Sequence, residues 1–278
     1  MIRIIALSDI YGEIEIINEL IERFDKKFDV CVIAGGINKP KEDKSKEIFG
    51  KLTKISEKIL FVNGGTDKIE IEDTQEISNL ENNPIILNKN GLKIGFLGIG
   101  GVPDRSIKRK SEYQNIWNEA LWHNKLLRKM NVDYNKIKIE KPDFFFFISH
   151  TPPYGIADYS RKITLNELES TQDIKEQDIE EKRKSTNPLH LGSKIIGEFV
   201  LRNKIPLHIF GHVHKEGGKW IKFKDTTFIN VAHILTLPYK LTGRKFCIIQ
   251  IERKNLEIEF KNVVNPKLDL ENFLERYL

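Results

Sequence analysis

The chain has 278 residues, of which 40% are hydrophobic and 31% charged, a composition typical of a folded protein with a charge-rich surface. Its net charge of +5 comes from 45 basic and 40 acidic residues spread along the whole length, which argues against a strongly clustered nucleic-acid-binding surface. No apolar stretch reaches the ~18 residues of a membrane span, and the N-terminus is unlike a signal peptide, so we expect a cytoplasmic protein with no membrane partner.

The first hundred residues alternate between predicted strands and helices. Apolar runs typical of buried strands occur at residues 2–7, 30–34 and 59–62. Helical spacing of apolar side chains occurs at residues 13–24 and 44–55. This alternation favours an α/β architecture with largely parallel strands. The dipeptide Asn90-Gly91 then predicts a hairpin into a further strand.

Later segments differ in character, and we interpret the whole chain, 1–278, as a single domain. A basic helix is predicted within an insert at about 104–141, followed by a strongly apolar strand at 144–148. The charge-dense stretch 158–190 is interpreted either as a lid-like excursion or as a disordered insert without a role. The remaining elements are a helix at 191–201, a strand at 205–210 and a β-rich end at 226–260 that suggests a second sheet.

Two cysteines, Cys31 and Cys247, lie inside apolar runs that are typical of strands. Isolated cysteines in such runs behave as small buried hydrophobic residues. They indicate a reducing compartment and argue against a disulfide framework or a cysteine zinc site.

Polar and glycine-rich segments follow five of the predicted strands, and four of their side chains are candidate metal ligands. Gly211-His212-Val213-His214 closes an apolar strand, and residues i and i+2 of an extended segment point to the same side. His212 and His214 can therefore converge on one metal ion or on two adjacent ions. Asp9 and His150 also follow strands, and ligands bind at the carboxyl ends of such strands. Alternatively, the histidines are structural and hydrogen-bond to one another and to the loops.

The order of these motifs resembles the calcineurin-like metallophosphoesterases, whose pattern is Asp-x-His, Gly-Asp, Gly-Asn-His/Cys-Asp, an isolated His and Gly-His-x-His. The resemblance runs from Ile4 to about Val231 and is strongest over two pieces, 149–155 and the segment 190–193 that leads to 211–218. It implies a two-sheet β-sandwich flanked by helices, in four layers, with Asp9 within about 12 Å of His212, a few strand spacings.

Several family positions are changed in this chain. Tyr11 stands at a histidine ligand, Gly36 at the aspartate that bridges two metals, and Gly65 at the asparagine of the second site. Thr66 stands where many members carry the histidine that assists the leaving group. Tyr11 is either a phenolate ligand or an ordinary hydrogen-bonding ring. Glycine is expected to leave room for an aspartate at position 36 unless its φ is positive.

The resemblance implies a divergent metal-dependent phosphoesterase that hydrolyses a phosphomonoester or phosphodiester through metal-activated water. The implied metal ligands are Asp9, His150, His212 and His214, of which His150 and His212 are also catalytic. They are expected to hold a divalent ion (Mn, Fe or Zn), either a single ion or one that is weakly bound.

Two further residues are candidates for substrate binding. His190 precedes the helix at 191–201, whose N-terminus can bind an anion, and Asn63, like Asn38, flanks a lost ligand position. Their expected ligand is a phosphate-ester small molecule or a nucleotide. The alternative function is a catalytically impaired member that acts as a binding or scaffold module, with a nucleic acid or protein docking on the basic helix at 108–129.

Overall fold

The computed structural model describes residues 1–65, 67, 69, 71–101, 112–158, 191–232, 245–253 and 255–263, and only the backbone of 112–125. The strands are β1 (Ile2–Leu7), β2 (Phe28–Ala34), β3 (Ser56–Val62), β4 (Ile77–Asn79), β5 (Ile85–Lys89), β6 (Leu92–Ile99), β7 (Phe144–Ser149), β8 (Leu207–Phe210), β9 (Lys219–Phe223), β10 (Thr226–Asn230), β11 (Lys245–Glu252) and β12 (Asn255–Asn262). The helices are α1 (Ile14–Arg23), α2 (Ser45–Leu52), α3 (Glu112–Ile139) and α4 (Lys194–Arg202), with a short 3-10 helix at His214–Glu216.

The strands form two six-stranded mixed sheets. The first has the order β12-β11-β1-β2-β3-β4, and the second has the order β5-β6-β7-β8-β10-β9. Strands β1 to β4 are parallel to one another, as are β6, β7, β8 and β10. Because parallel strands end at the same edge of a sheet, each sheet presents a row of carboxyl ends.

Three apolar clusters divide the molecule into four layers. Inner faces of both sheets pack together, with Ile4 and Val32 from the first sheet and Phe146 and Ile209 from the second. Helices α1 and α2 cover the outer face of the first sheet. Helices α3 and α4 cover the outer face of the second. The predicted two-sheet sandwich flanked by helices is therefore confirmed.

The hairpin predicted at Asn90-Gly91 is also present. Strands β5 and β6 pair antiparallel with Lys89 opposite Leu92, and both turn residues have positive φ, 52° and 74°. This is the backbone that a tight two-residue hairpin requires, and glycine and asparagine adopt it at low cost.

The β-rich end of the chain is shared between the two sheets instead of forming a second sheet of its own. Strand β10 lies in the second sheet, whereas β11 pairs antiparallel with β1 in the first. Phe246 and Ile248 pack toward α1, while Cys247 and Ile249 face the interior between the sheets. A strand that is apolar on both faces is stable inside a sheet, which explains its position beside β1.

Two further predictions concern the insert and the membrane. Helix α3 accounts for most of the predicted insert at about 104–141, while residues 159–190 of the charged excursion lie outside the described residues. None of the helices in the described ranges is both long enough and apolar enough to span a bilayer.

Candidate metal centre

The four predicted metal ligands lie on one edge of the sandwich, where strands of both sheets end. Asp9 follows β1 of the first sheet, and His150 follows β7 of the second. His212 and His214 follow β8, on the turn that begins at Gly211. The N–H of His212 donates to Asp9 Oδ2 at 3.0 Å, which confirms the predicted proximity of these two residues.

The two carboxylate oxygens of the buried Asp9 have different surroundings. Oδ2 accepts hydrogen bonds from the Ser8 hydroxyl at 2.5 Å and from the His212 N–H. Oδ1 lies 3.2 Å from His214 Nε2. One oxygen thus holds the carboxylate in place while the other faces an imidazole nitrogen.

The separation of these two atoms fits two ligands of one ion. Divalent metals bind carboxylate oxygen and imidazole nitrogen at ~2.0–2.2 Å, with tetrahedral or octahedral angles. Two ligand atoms in such a shell lie roughly 3.0–3.5 Å apart. Asp9 Oδ1 and His214 Nε2, at 3.2 Å, have this spacing.

The charge of Asp9 is stabilised by the histidines around it. Burial raises the pKa of this carboxyl, but the hydrogen bond with His214 and the charges of His150 and His214 outweigh burial and hold the pKa well below its usual 3.8. Asp9 is therefore ionised at neutral pH. A buried carboxylate in such a place favours a cation close by.

His150 and His212 form a second pair, with ring centroids 5.1 Å apart. His150 Nδ1 lies 2.8 Å from the carbonyl oxygen of Ala34. Because a carbonyl oxygen only accepts, Nδ1 must carry a proton, which leaves Nε2 as the nitrogen that could bind a metal ion. Metal-binding histidines are oriented in this way, with the second nitrogen donating to a carbonyl or carboxylate.

Three residues of the site have left-handed backbone. The φ angle is 58° at Asp9, 47° at Tyr11 and 70° at His212. Such conformations cost ~1–3 kcal/mol each in residues other than glycine, and they cluster at functional sites. The Asp9 turn is held by its N–H, which donates to Gly35 O at 2.9 Å. The surrounding structure therefore enforces the positions of these side chains.

Tyr11, at the position of a family histidine ligand, packs edge-on against His214 with ring centroids 5.8 Å apart. Burial, followed by interaction with the Asp9 and Asp67 carboxylates, raises the pKa of the Tyr11 phenol above its usual range. Without a bound cation the phenol is protonated at neutral pH. A cation beside it would favour the phenolate, so the role of Tyr11 as a phenolate ligand stays a prediction.

Gly36, at the position of the bridging aspartate, has φ +70°, and the expectation that it leaves room for a side chain is wrong. A Cβ atom at Gly36 would lie 2.8 Å from Asp9 Cα and 2.8 Å from Asp9 Oδ1. A Cβ at Gly211 would likewise lie 1.9 Å from Ser8 Oγ. The edge is thus assembled from close backbone contacts that glycine permits.

Asp67 has a role that the motif around it did not reveal. Its buried carboxylate accepts hydrogen bonds from the N–H groups of Ile37, Asn38 and Gly64, at 3.0, 2.8 and 2.7 Å. Asp67 therefore ties the loop after β2 to the loop after β3. The only signal in the sequence is an acidic residue closing a glycine-rich strand end.

The two asparagines that flank the lost ligand positions bond to their own loops. Asn38 Oδ1 accepts from the Lys44 N–H at 2.8 Å, and Asn63 Oδ1 lies 3.4 Å from a backbone N–H six residues later. Substrate binding by Asn63 stays a prediction. Thr66 and His190 lie outside the described residues.

The site as described contains two pairs of candidate ligands. Among the described residues, no group of three or more His, Cys, Asp or Glu side chains has the arrangement of a metal site. Asp9 with His214, and His150 with His212, are the pairs that the fold brings together. Structural zinc sites use four protein ligands and catalytic ones three, so a pair is expected to bind an ion weakly.

Solved structures share the fold. TT1561 of Thermus thermophilus has a TM-score of 0.50 and 15% identity, covering 94% of this chain and 99% of that one. GAP50, described as the anchor in the inner membrane complex of Plasmodium, has a TM-score of 0.52 and 14% identity, covering 98% of this chain and 94% of that one. At these identities the likeness shows the fold alone. No curated protein matches the chain in sequence.

The family follows from the sequence itself. The family model named calcineurin-like phosphoesterase matches residues 2–216, a range that contains Asp9, His150, His212 and His214. The match covers more than half of the chain and agrees with the order of the strand-end motifs. The chain therefore belongs to the calcineurin-like phosphoesterase family.

Proposed function

We propose that the protein is a divergent phosphoesterase that uses a divalent metal to hydrolyse a phosphomonoester or a phosphodiester. The observation that carries this proposal is the buried, ionised Asp9 with Oδ1 3.2 Å from His214 Nε2, at an edge formed by both sheets. A carboxylate oxygen beside imidazole nitrogens is a donor set that divalent metals bind, so this arrangement favours metal binding.

Asp9 and His214 are the proposed holders of the ion, with His150 and His212 beside them as further ligands and as the residues closest to the chemistry. Carboxylate and imidazole donors together suit manganese, iron or zinc. When bound, the ion supplies positive charge to the phosphate oxygens and lowers the pKa of water. Since each pair offers two protein ligands, we expect about one weakly held ion per chain.

The two neighbouring imidazoles of His150 and His212 suit the proton transfers of hydrolysis. A water oxygen bonds to phosphorus, the ester P–O bond breaks, and the leaving oxygen takes up a proton. His150 keeps its own proton at Nδ1 through the Ala34 carbonyl, so Nε2 can accept one. Imidazole is the side chain that enzymes most often use as a general acid or base.

The proposed substrate is a phosphate-ester small molecule or a nucleotide, with Asn63 and His190 as proposed contacts. We also propose that the protein is cytoplasmic. Cys31 and Cys247 are buried free thiols, which suits the reducing conditions of the cytoplasm.

A second candidate function is a binding or scaffold module without catalysis. It is favoured by the contact between Gly36 and Asp9, which leaves no space for the carboxylate that bridges two ions in the family. Two dications at ~3.5–4 Å, as in two-metal enzymes, repel each other unless an anion lies between them. Loss of the bridge therefore argues against the two-ion mechanism, although it leaves a one-ion site intact.

Metal content and hydrolysis together separate the two functions. Protein dialysed against a chelator is titrated with Mn²⁺ by calorimetry and then assayed on an aryl phosphate and a bis-aryl phosphodiester. The wild type is expected to bind about one ion and to hydrolyse one of these esters slowly. The variant Asp9→Asn keeps an oxygen for Ser8 and the His212 N–H but loses the charge, so its Mn²⁺ affinity should fall at least about tenfold.

The matched control is Lys222→Ala, a charge change on the exposed strand β9. It should leave both metal binding and hydrolysis unchanged. Mn²⁺ binding without hydrolysis of either ester would favour the binding module. Mn²⁺ affinity that is the same in wild type and Asp9→Asn would contradict the metal site itself.

A further inference from the structure

His208 is fully buried in β8. Its side chain lies on the face of the second sheet that packs against helices α3 and α4. Its ring packs among three phenylalanines, Phe147, Phe210 and Phe228, with centroids 4.8, 5.0 and 5.8 Å away. Burial lowers the pKa of His208 from 6.5 to about 3, so the ring is neutral. A polar ring in an aromatic pocket is unexpected, because an apolar side chain would pack there without a desolvation cost.

One nitrogen of His208 belongs to a short hydrogen-bond chain. Ser149 Oγ lies 2.6 Å from the carbonyl oxygen of Thr151 and 2.8 Å from His208 Nε2. A carbonyl oxygen only accepts, so the hydroxyl proton of Ser149 points to Thr151. The hydroxyl oxygen must then accept from His208, which places the imidazole proton on Nε2. The direction of the whole chain is therefore determined.

The hydrogen bond from Ser149 to Thr151 encloses His150, the candidate ligand between them. The His150 carbonyl accepts from the Gly211 N–H at 3.1 Å, and its Nδ1 donates to Ala34 O at 2.8 Å. The chain from His208 thus holds one side of a turn whose other contacts reach both sheets. His208 also joins β8, which leads to His212, to the end of β7.

The other nitrogen of His208 lies in different surroundings. Nδ1 is buried and accepts no hydrogen bond from the described residues. A buried polar atom without a partner destabilises the folded state. The position therefore carries a cost to stability that leucine or phenylalanine would avoid, and the Ser149 contact is the only polar interaction among the described residues that offsets it.

We propose that His208 is a positioning residue for the metal centre: by donating to Ser149 it holds the turn that keeps the His150 imidazole in its ligand orientation. This inference rests on the proposed function, since it takes His150 to be a ligand.

Two substitutions separate positioning from packing. His208→Leu removes the N–H donor together with the unsatisfied nitrogen, whereas His208→Gln keeps an N–H donor at the place of Nε2. We expect His208→Leu to unfold at the same temperature as the wild type or a higher one, yet to bind Mn²⁺ about tenfold more weakly, the usual effect of losing a residue that orients a ligand. His208→Gln should restore the affinity. Ser149→Ala, which cuts the same chain, should weaken Mn²⁺ binding as His208→Leu does.

A second readout needs no metal. In metal-free protein, NMR should show the His150 Nδ1–H exchanging faster with water in His208→Leu than in the wild type, and slowly again in His208→Gln. If all variants bind Mn²⁺ and protect this proton like the wild type, His208 only fills the core and the inference is overturned. A parallel fall in stability and affinity that His208→Gln does not rescue would overturn it too. If the wild type binds no Mn²⁺, the proposed function fails, and the exchange of this proton still decides whether His208 positions His150.

Discussion

A single methyl group added at Gly36 should destabilise the protein more than one added at Gly91. Both glycines have left-handed backbone, with φ of +70° and +74°. A Cβ at Gly36 would meet Asp9 Cα and Oδ1 at 2.8 Å and Asp9 N at 3.1 Å, whereas a Cβ at Gly91 would meet nothing within 4 Å. The two alanine variants therefore share the backbone cost and differ in the clash.

The magnitudes follow from these two terms. Left-handed backbone costs a residue with a side chain about 1–2 kcal/mol, so Gly91→Ala should lower the free energy of unfolding by that amount. Overpacking adds about 1–3 kcal/mol, which brings Gly36→Ala to about 2–5 kcal/mol. The difference between the variants corresponds to a Tm about 2–12 °C lower for Gly36→Ala.

Urea unfolding followed by circular dichroism measures both free energies, and Gly36→Asp extends the test to function. That variant adds the same Cβ and a second carboxylate beside Asp9, so it should lose at least as much stability as Gly36→Ala and gain no Mn²⁺ affinity. Equal destabilisation of Gly36→Ala and Gly91→Ala would refute the close contact. A stable Gly36→Asp protein with tighter Mn²⁺ binding would show that the Asp9 loop moves aside.

Two further predictions concern buried polar groups. Asp67→Ala should lower the free energy of unfolding in urea by about 3 kcal/mol, because three backbone N–H groups lose their acceptor. The control Asp25→Ala, at an exposed position, should change this free energy by less than about 0.5 kcal/mol. Similar losses in the two variants would contradict the role of Asp67 in joining the two loops. Because burial lowers the pKa of His208 from 6.5 to about 3, the unfolded chain takes up a proton on this ring before the folded protein does, and the free energy of unfolding falls as the pH drops from 6.5 toward 3. Between pH 6.5 and 5 the wild type should lose about 2 kcal/mol more than His208→Gln in urea titrations, and parallel losses would mean that the folded protein protonates this ring.

The sequence determined the elements of this protein because apolar periodicity is a local property. The run at 2–7 is strand β1, and the helical spacing at 13–24 is α1 over Ile14–Arg23. Placement of His150 and His212 at one edge could also be predicted. Strands β7 and β8 are parallel neighbours in one sheet, so the residues that follow them are brought together whatever their separation in the chain.

Only the tertiary structure decided how the site residues meet. His212 donates to Asp9 across 203 residues, and this contact depends on how the two sheets pack. Gly36 looks like an open position in the sequence, yet the Asp9 loop occupies the space a side chain needs. His208 reads as one more residue of an apolar run, although its proton holds a turn on the neighbouring strand. A sequence pattern predicts which residues lie on an edge, but distances, free volume and proton positions arise from contacts between segments far apart in the chain.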